Sequence, residues 1–84
     1  MDAYINTKLM TFELPDGTIF EKESTKNYKF LLVYKCNPSY TIEGCYKTKS
    51  SVNKRIEYLK HIGWPVEFEI INRKSMEYIY RDGG

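Results

Sequence analysis

The 84-residue sequence predicts an α+β fold: a small antiparallel β-sheet backed by one α-helix, in the order ββ-ββ-α-β(β). Three observations carry this. Short segments rich in β-branched and aromatic residues alternate apolar with polar side chains, as half-buried strands do. One segment instead repeats its apolar residues at helical spacing, with a threonine before it and Gly63-Trp64-Pro65 after it. A chain this short forms one core, so residues 1–84 are expected to be a single domain.

Taken in order, residues 11–14 and 18–23 predict two short strands around Pro15-Asp16-Gly17. Proline presets one turn angle and glycine tolerates positive φ, so the triplet reads as a turn. Residues 24–27 are a polar connector. Residues 28–36 give the strongest strand pattern, YKFLLVYKC, and Asn37-Pro38-Ser39 reads as the turn into a returning strand over 40–47. Gly44 inside that strand points to a bulge or to close approach by another element. Thr48 is placed to cap a helix over roughly 49–62, whose apolar stripe is Val52, Ile56, Leu59 and Ile62. Gly63 supplies a left-handed stop and Pro65 prevents continuation, with Trp64 folding back under the helix. Residues 66–71 alternate as a strand. After a turn at 72–75, residues 76–80 form a last one with Met76, Tyr78 and Tyr80 on one face, and the end of the sequence frays.

Strict alternation about the 37–40 turn puts Leu31, Val33, Ile42, Gly44 and Tyr46 on one face of the central hairpin. Phe30, Leu32, Tyr34, Glu43, Cys45 and Lys47 fall on the other. Helix packing suits the first face, where Gly44 admits close approach. The second is then either covered by the terminal strands or open as a binding surface. An edge strand at either end is free to pair with itself in a symmetric dimer, so the chain is expected to be a monomer or a homodimer.

Eight Tyr, four Phe and one Trp give this small core much buried area per residue. The net charge is only +2, low for a dedicated nucleic-acid binder. The distribution is more telling: lysines and Arg55 concentrate between Lys26 and Lys60, while carboxylates gather on both flanks. No apolar stretch approaches the roughly 20 residues of a membrane span, and the first ten residues do not read as a signal peptide. Cys36 and Cys45 do not face each other in the expected register, so free thiols in a reducing cytoplasm are expected. His61 lies in no metal-ligand spacing, and no phosphate loop or nucleophile elbow is present, so neither metal, cofactor nor enzymatic activity is expected. Lys outnumbers Arg, and Ile, Tyr and Asn are common, a bias that follows AT-rich genomes and fits a small phage or mobile-element gene.

Within residues 28–65, the aromatic and basic strand–turn–strand runs through Gly44-Cys45-Tyr46-Lys47-Thr48 into the amphipathic helix and closes on Gly63-Trp64-Pro65. This resembles the three-stranded DNA-binding domains of phage and transposon integrases (the Arm-type domain) and of plant ethylene-response factors. The resemblance covers under half the chain. It departs from the family in its Lys49-Ser50-Ser51 helix start, its turn without glycine and its extra C-terminal strands. In such domains the sheet enters the major groove, which would place Lys29, Tyr34, Lys35, Tyr40 and Lys47 nearest DNA.

Two functions are therefore expected. In the first, Lys29, Tyr34, Lys35, Tyr40, Lys47, Lys49 and Arg55 form a basic-aromatic sheet surface for nucleic acid or a nucleic-acid-handling machine, lysines meeting phosphates and rings stacking. The same residues have a structural use, since Tyr packs strands and Lys blunts sheet edges. In the second, the chain is a phage-encoded inhibitor, for anti-defence or host takeover, that docks on a host protein through an exposed aromatic face.

Overall fold

The computed structural model describes residues 4–82, with side chains described for 7–79. Six strands and one helix follow in the order β1 (Tyr4–Glu13), β2 (Ile19–Ser24), β3 (Phe30–Cys36), β4 (Ser39–Tyr46), α1 (Lys49–His61), β5 (Phe68–Asn72) and β6 (Ser75–Asp82) among these residues. The α+β class, the antiparallel pairing and the single helix are as the sequence predicts. The strands divide into two three-stranded sheets, ordered β2-β1-β6 and β4-β3-β5.

The two sheets share one stretch of chain. The Arg73 N–H donates to Lys29 O at the start of β3, at 2.9 Å, while the next N–H, from Lys74, donates to Thr11 O of β1 at 2.7 Å. Successive amides of an extended chain point to opposite sides. The chain therefore passes from β5, paired with β3 on one side, through the extended residues 73–74 to β6, paired with β1 on the other side. The Arg73 side chain fixes this corner by donating to Asn27 Oδ1 and to Tyr28 O.

The main core lies between the sheets. Met10, Phe12 and Leu14 of the first sheet and its flank meet Leu31 and Val33 of the second, all buried. Phe20, Tyr28, Tyr40, Ile42, Cys45, Ile71 and Met76 close its rim. The helix lies against β3 and β4 on the opposite face of the second sheet. There Leu32, Val52 and Leu59 are buried as a separate layer. The order of layers is helix, second sheet, first sheet.

This reverses the expected helix placement. A bulge causes the reversal: Leu32 pairs with Gly44, but Val33 pairs with Ile42, which leaves Glu43 as the extra residue. Ile42 and Cys45 both face the first sheet, whereas Gly44 and Tyr46 turn toward the helix together with Glu43, Phe30, Leu32 and Tyr34. Alternation without a bulge put Gly44 and Tyr46 with Ile42, and put the helix on the Leu31 face. That face is covered by the terminal strands instead.

Several boundaries also shift. β1 starts at Tyr4, well before position 11, because its polar first half is paired throughout with β6, from Tyr4↔Asp82 to Thr11↔Ser75. The central turn is two residues, a cis Asn37–Pro38 peptide between the paired Cys36 and Ser39. β5 begins at Phe68, two residues later than the alternation predicts. Ile62 caps the helix and is 50% exposed, so the buried stripe reduces to Val52 and Leu59. The radius of gyration is 15.1 Å, against about 12 Å for a compact chain of this length. The long axis is 49 Å. β1 and β6 continue beyond β2, whose pairing with β1 ends at Lys8↔Ser24.

Candidate functional site

Six of the seven residues singled out from sequence fall into two groups at opposite ends of β3, Arg55 lies on the helix between them, and the seven do not form one sheet surface. Six residue steps separate Lys29 from Lys35, about 20 Å of strand. Both faces of β3 are covered, one by the first sheet and one by the helix, so the sheet platform that the integrase-like resemblance implies is not open.

The first end is basic. Lys29 stands just before β3, its N–H donating to Tyr46 O at 3.0 Å. Lys47 follows β4 directly, and Lys49 opens the helix. All three are exposed, and none has a carboxylate partner among the described residues. Thr48 sets the helix start here: the Ser51 N–H donates to its Oγ1 at 3.1 Å and Val52 N–H to its carbonyl at 3.3 Å.

The other end is aromatic. The helix stops in a Schellman arrangement, with Gly63 at φ +95°, Gly63 N–H donating to Lys60 O, and Trp64 N–H donating to Leu59 O, both at 3.1 Å. This turns Trp64 back onto β3 and β5. Its ring meets Tyr34 edge-on at 5.4 Å between centroids and lies nearly parallel to Phe68 at 6.3 Å, while Tyr34 meets Phe68 at 6.2 Å. Such triads add to burial and hold the rings in one arrangement. Trp64 remains 37% exposed, Tyr58 53% and Ile62 50%. Lys35 and Tyr40 belong to the same end of the sheet but face the first sheet. The Tyr40 hydroxyl donates to Glu69 Oε2 at 3.2 Å. Partial burial, with the nearby Glu69 carboxylate, raises its pKa.

Arg55 is half-exposed but engaged by the fold. Its Nε donates to Glu43 Oε2 at 2.8 Å, and Glu43 is 10% exposed at its side chain. The Tyr46 hydroxyl donates to the other oxygen of the same carboxylate. Burial, reinforced by that carboxylate, pushes the Tyr46 phenol up to about 12. The Arg55 guanidinium also lies over the Tyr58 ring, 5.4 Å from its centroid. The bulge residue therefore orients Arg55, and Arg55 orients Tyr58. Sequence reading missed Tyr58 and Ile62 as exposed groups and Phe68 as the half-buried partner of Trp64. The signal available was the Gly63 stop, which ends the buried stripe a turn early.

Charge separates by layer. The helix exposes Lys49, Lys54 and Lys60 against Glu57. The outward face of the first sheet carries Glu13, Glu21, Glu23 and Glu77, placed together by the pairs Leu9↔Glu23, Thr11↔Glu21 and Leu9↔Glu77. Glu13 pairs with Lys74 at 3.0 Å. Cys36 and Cys45 are free thiols on neighbouring strands, with Cys45 opposite Leu31 and its pKa raised by burial. No helix among the described residues is long and apolar enough to cross a membrane.

These features define a two-sheet α+β protein with a basic helical layer, an acidic sheet layer and an aromatic cluster at one end. Comparison with protein-family models, curated proteins and solved structures finds no match.

Proposed function

We propose that this chain is a small non-enzymatic binding protein, phage- or mobile-element-encoded, that acts in the host cytoplasm by docking on a host protein that handles nucleic acid. The docking surface is the aromatic end, with Trp64, Tyr58 and Ile62 as anchors. The observation that carries the reading is the half-exposure of these three side chains at one helix end, with Trp64 braced by Tyr34 and Phe68. Trp, Tyr and Arg dominate interface energetics, and a braced ring loses little entropy on binding. Lys60 and Lys54 beside the anchors, and the acidic layer on the far side, favour a partner with an apolar depression and an acidic rim. The test compares wild type, Trp64→Ala and Lys47→Glu/Lys49→Glu as immobilised baits in bacterial lysate. A stoichiometric partner held by wild type and by the lysine variant but lost with Trp64→Ala is expected. Equal capture by wild type and Trp64→Ala overturns the docking surface.

A second reading rests on Lys29, Lys47 and Lys49 gathered at the other end: contact with nucleic-acid phosphates. With about three phosphates neutralised, log K for duplex DNA falls against log salt with a slope near −3. Salt-dependent duplex binding lost in Lys47→Glu/Lys49→Glu would favour it over protein docking.

A further inference from the structure

We propose that Arg55 is a preset receptor for a carboxylate carried by the docking partner, and that it selects which partners the aromatic end accepts. The inference rests on the docking surface proposed above and adds the chemistry of what binds there.

An arginine side chain gives up much rotamer freedom when a contact fixes it. The fold has already fixed this one. Glu43, the bulge residue, keeps only 10% of its side chain exposed. Both of its carboxylate oxygens are engaged, Oε2 by Arg55 Nε at 2.8 Å and Oε1 by the Tyr46 hydroxyl. The guanidinium also lies over the Tyr58 ring. Glu43 accepts from Nε alone, and neither Nη group makes a hydrogen bond among the described residues. The Arg55 side chain is 40% exposed. The two Nη groups form the planar fork that matches a carboxylate oxygen for oxygen. A guanidinium held in place with that fork unused is a binding element as well as a structural tie.

Helical spacing places the rest of the receptor. Ser51, Arg55, Tyr58 and Ile62 follow one another at three- and four-residue steps, a single stripe along the helix flank beside the buried Val52 and Leu59. Thr48 Oγ1 donates to Ser51 Oγ at 2.9 Å, which leaves the Ser51 hydroxyl proton without an acceptor among the described residues. Tyr58 and Ile62 are half-exposed. The stripe thus offers donors from Ser51 to Arg55 and apolar surface from Tyr58 to Ile62. Two turns of helix set Ile62 about 10 Å beyond Arg55. Its complement is a carboxylate about 10 Å from an apolar side chain. Charge decides which oxyanion fits. Glu43 offsets the charge of Arg55, and the exposed Lys54 and Glu57 on the adjoining face oppose each other. The stripe therefore matches a singly charged carboxylate by directed donors, and it lacks the cation cluster that a doubly charged phosphate ester calls for.

The test selects a displayed library of random peptides on the immobilised full chain. The recovered peptides are then titrated against wild type, Trp64→Ala and Arg55→Lys, both variants checked for native circular dichroism. Peptides that depend on Trp64 are expected to carry an Asp or Glu. Exchange of that residue for its amide should weaken binding to wild type about tenfold or more and change little against Arg55→Lys. That coupling assigns the carboxylate to Arg55, since an arginine with a merely structural role would not distinguish the acid from its amide. The acid–amide comparison on wild type needs no variant to fold. Peptides that need Trp64 but bind equally as acid and amide overturn the receptor and leave the docking surface standing. So does an amide exchange that weakens binding as much against Arg55→Lys as against wild type. Tighter binding of a phosphoserine put in place of the acid overturns the choice of carboxylate. A selection that returns no Trp64-dependent peptide overturns the receptor and the docking surface together.

Discussion

Tyr46 shows how one side chain ties the helix layer to pH. Burial and the adjacent Glu43 carboxylate both favour its neutral form, so its pKa is pushed up to about 12 in the native state, whereas a tyrosine in an unfolded chain ionises at about 10. Below pH about 10 both states hold the proton and the contribution to stability is complete. Between the two values the unfolded chain releases its proton while the native protein keeps it, so stability falls as pH rises and the contribution is gone once the native group titrates. Denaturant unfolding at a series of alkaline pH values is expected to show this decline. Tyr46→Phe, which removes the ionisable group, should start less stable and decline less steeply. Parallel declines in the two proteins would show that Tyr46 does not carry the alkaline loss.

At the scale of elements, the helix and its ends were the most legible part of the chain, and its C-terminus offers the sharpest test. A Cβ added at Gly63 meets nothing within 4 Å, yet the residue sits at φ +95°. The cost of Gly63→Ala is therefore conformational and not steric, about 1 kcal/mol, read as a shift in denaturation midpoint without a change in slope. A neutral outcome would mean that the Schellman stop relaxes freely and that Trp64 is held by its ring contacts alone. Thr48, Gly63 and Pro65 were readable because each acts through its own backbone geometry. The Glu43 bulge was not, although Gly44 hinted at it. A single extra residue leaves local propensity unchanged, but it reverses the faces of everything after it on β4. It moved Gly44 and Tyr46 to the helix side and returned Cys45 to the core, and with them the face that could be open. The first half of β1 was missed for a related reason: Asn6, Thr7 and Lys8 have no alternation of their own and form strand because β6 pairs with them. The basic-aromatic interleaving was visible in sequence, but its division between two ends of the sheet depends on which layer covers which face.

At the scale of the whole molecule, the two sheets have separate hydrogen-bond ladders, but the core and the β5–β6 junction bind them into one unit. Met10, Phe12 and Leu14 belong to the first sheet and its flank, and their buried partners Leu31 and Val33 to the second. Neither sheet retains a core of its own if the other leaves. Residues 68–82 feed both ladders through the adjacent amides of Arg73 and Lys74, so breaking the corner releases an edge from each. The helix layer adds only Val52 and Leu59 on the far side of β3, with Leu32 beneath them, too few buried groups to persist alone. Unfolding is therefore expected to be one cooperative transition. Trp64 fluorescence reports the helix end and the second sheet, and far-ultraviolet circular dichroism reports all strands together. The two should give the same midpoint and the same dependence on denaturant. If Trp64 reports an earlier transition than the dichroism, the helix layer unfolds as a separate unit. The aromatic end would then be ordered only marginally before it meets a partner, and the braced-anchor argument for its affinity would fail with it.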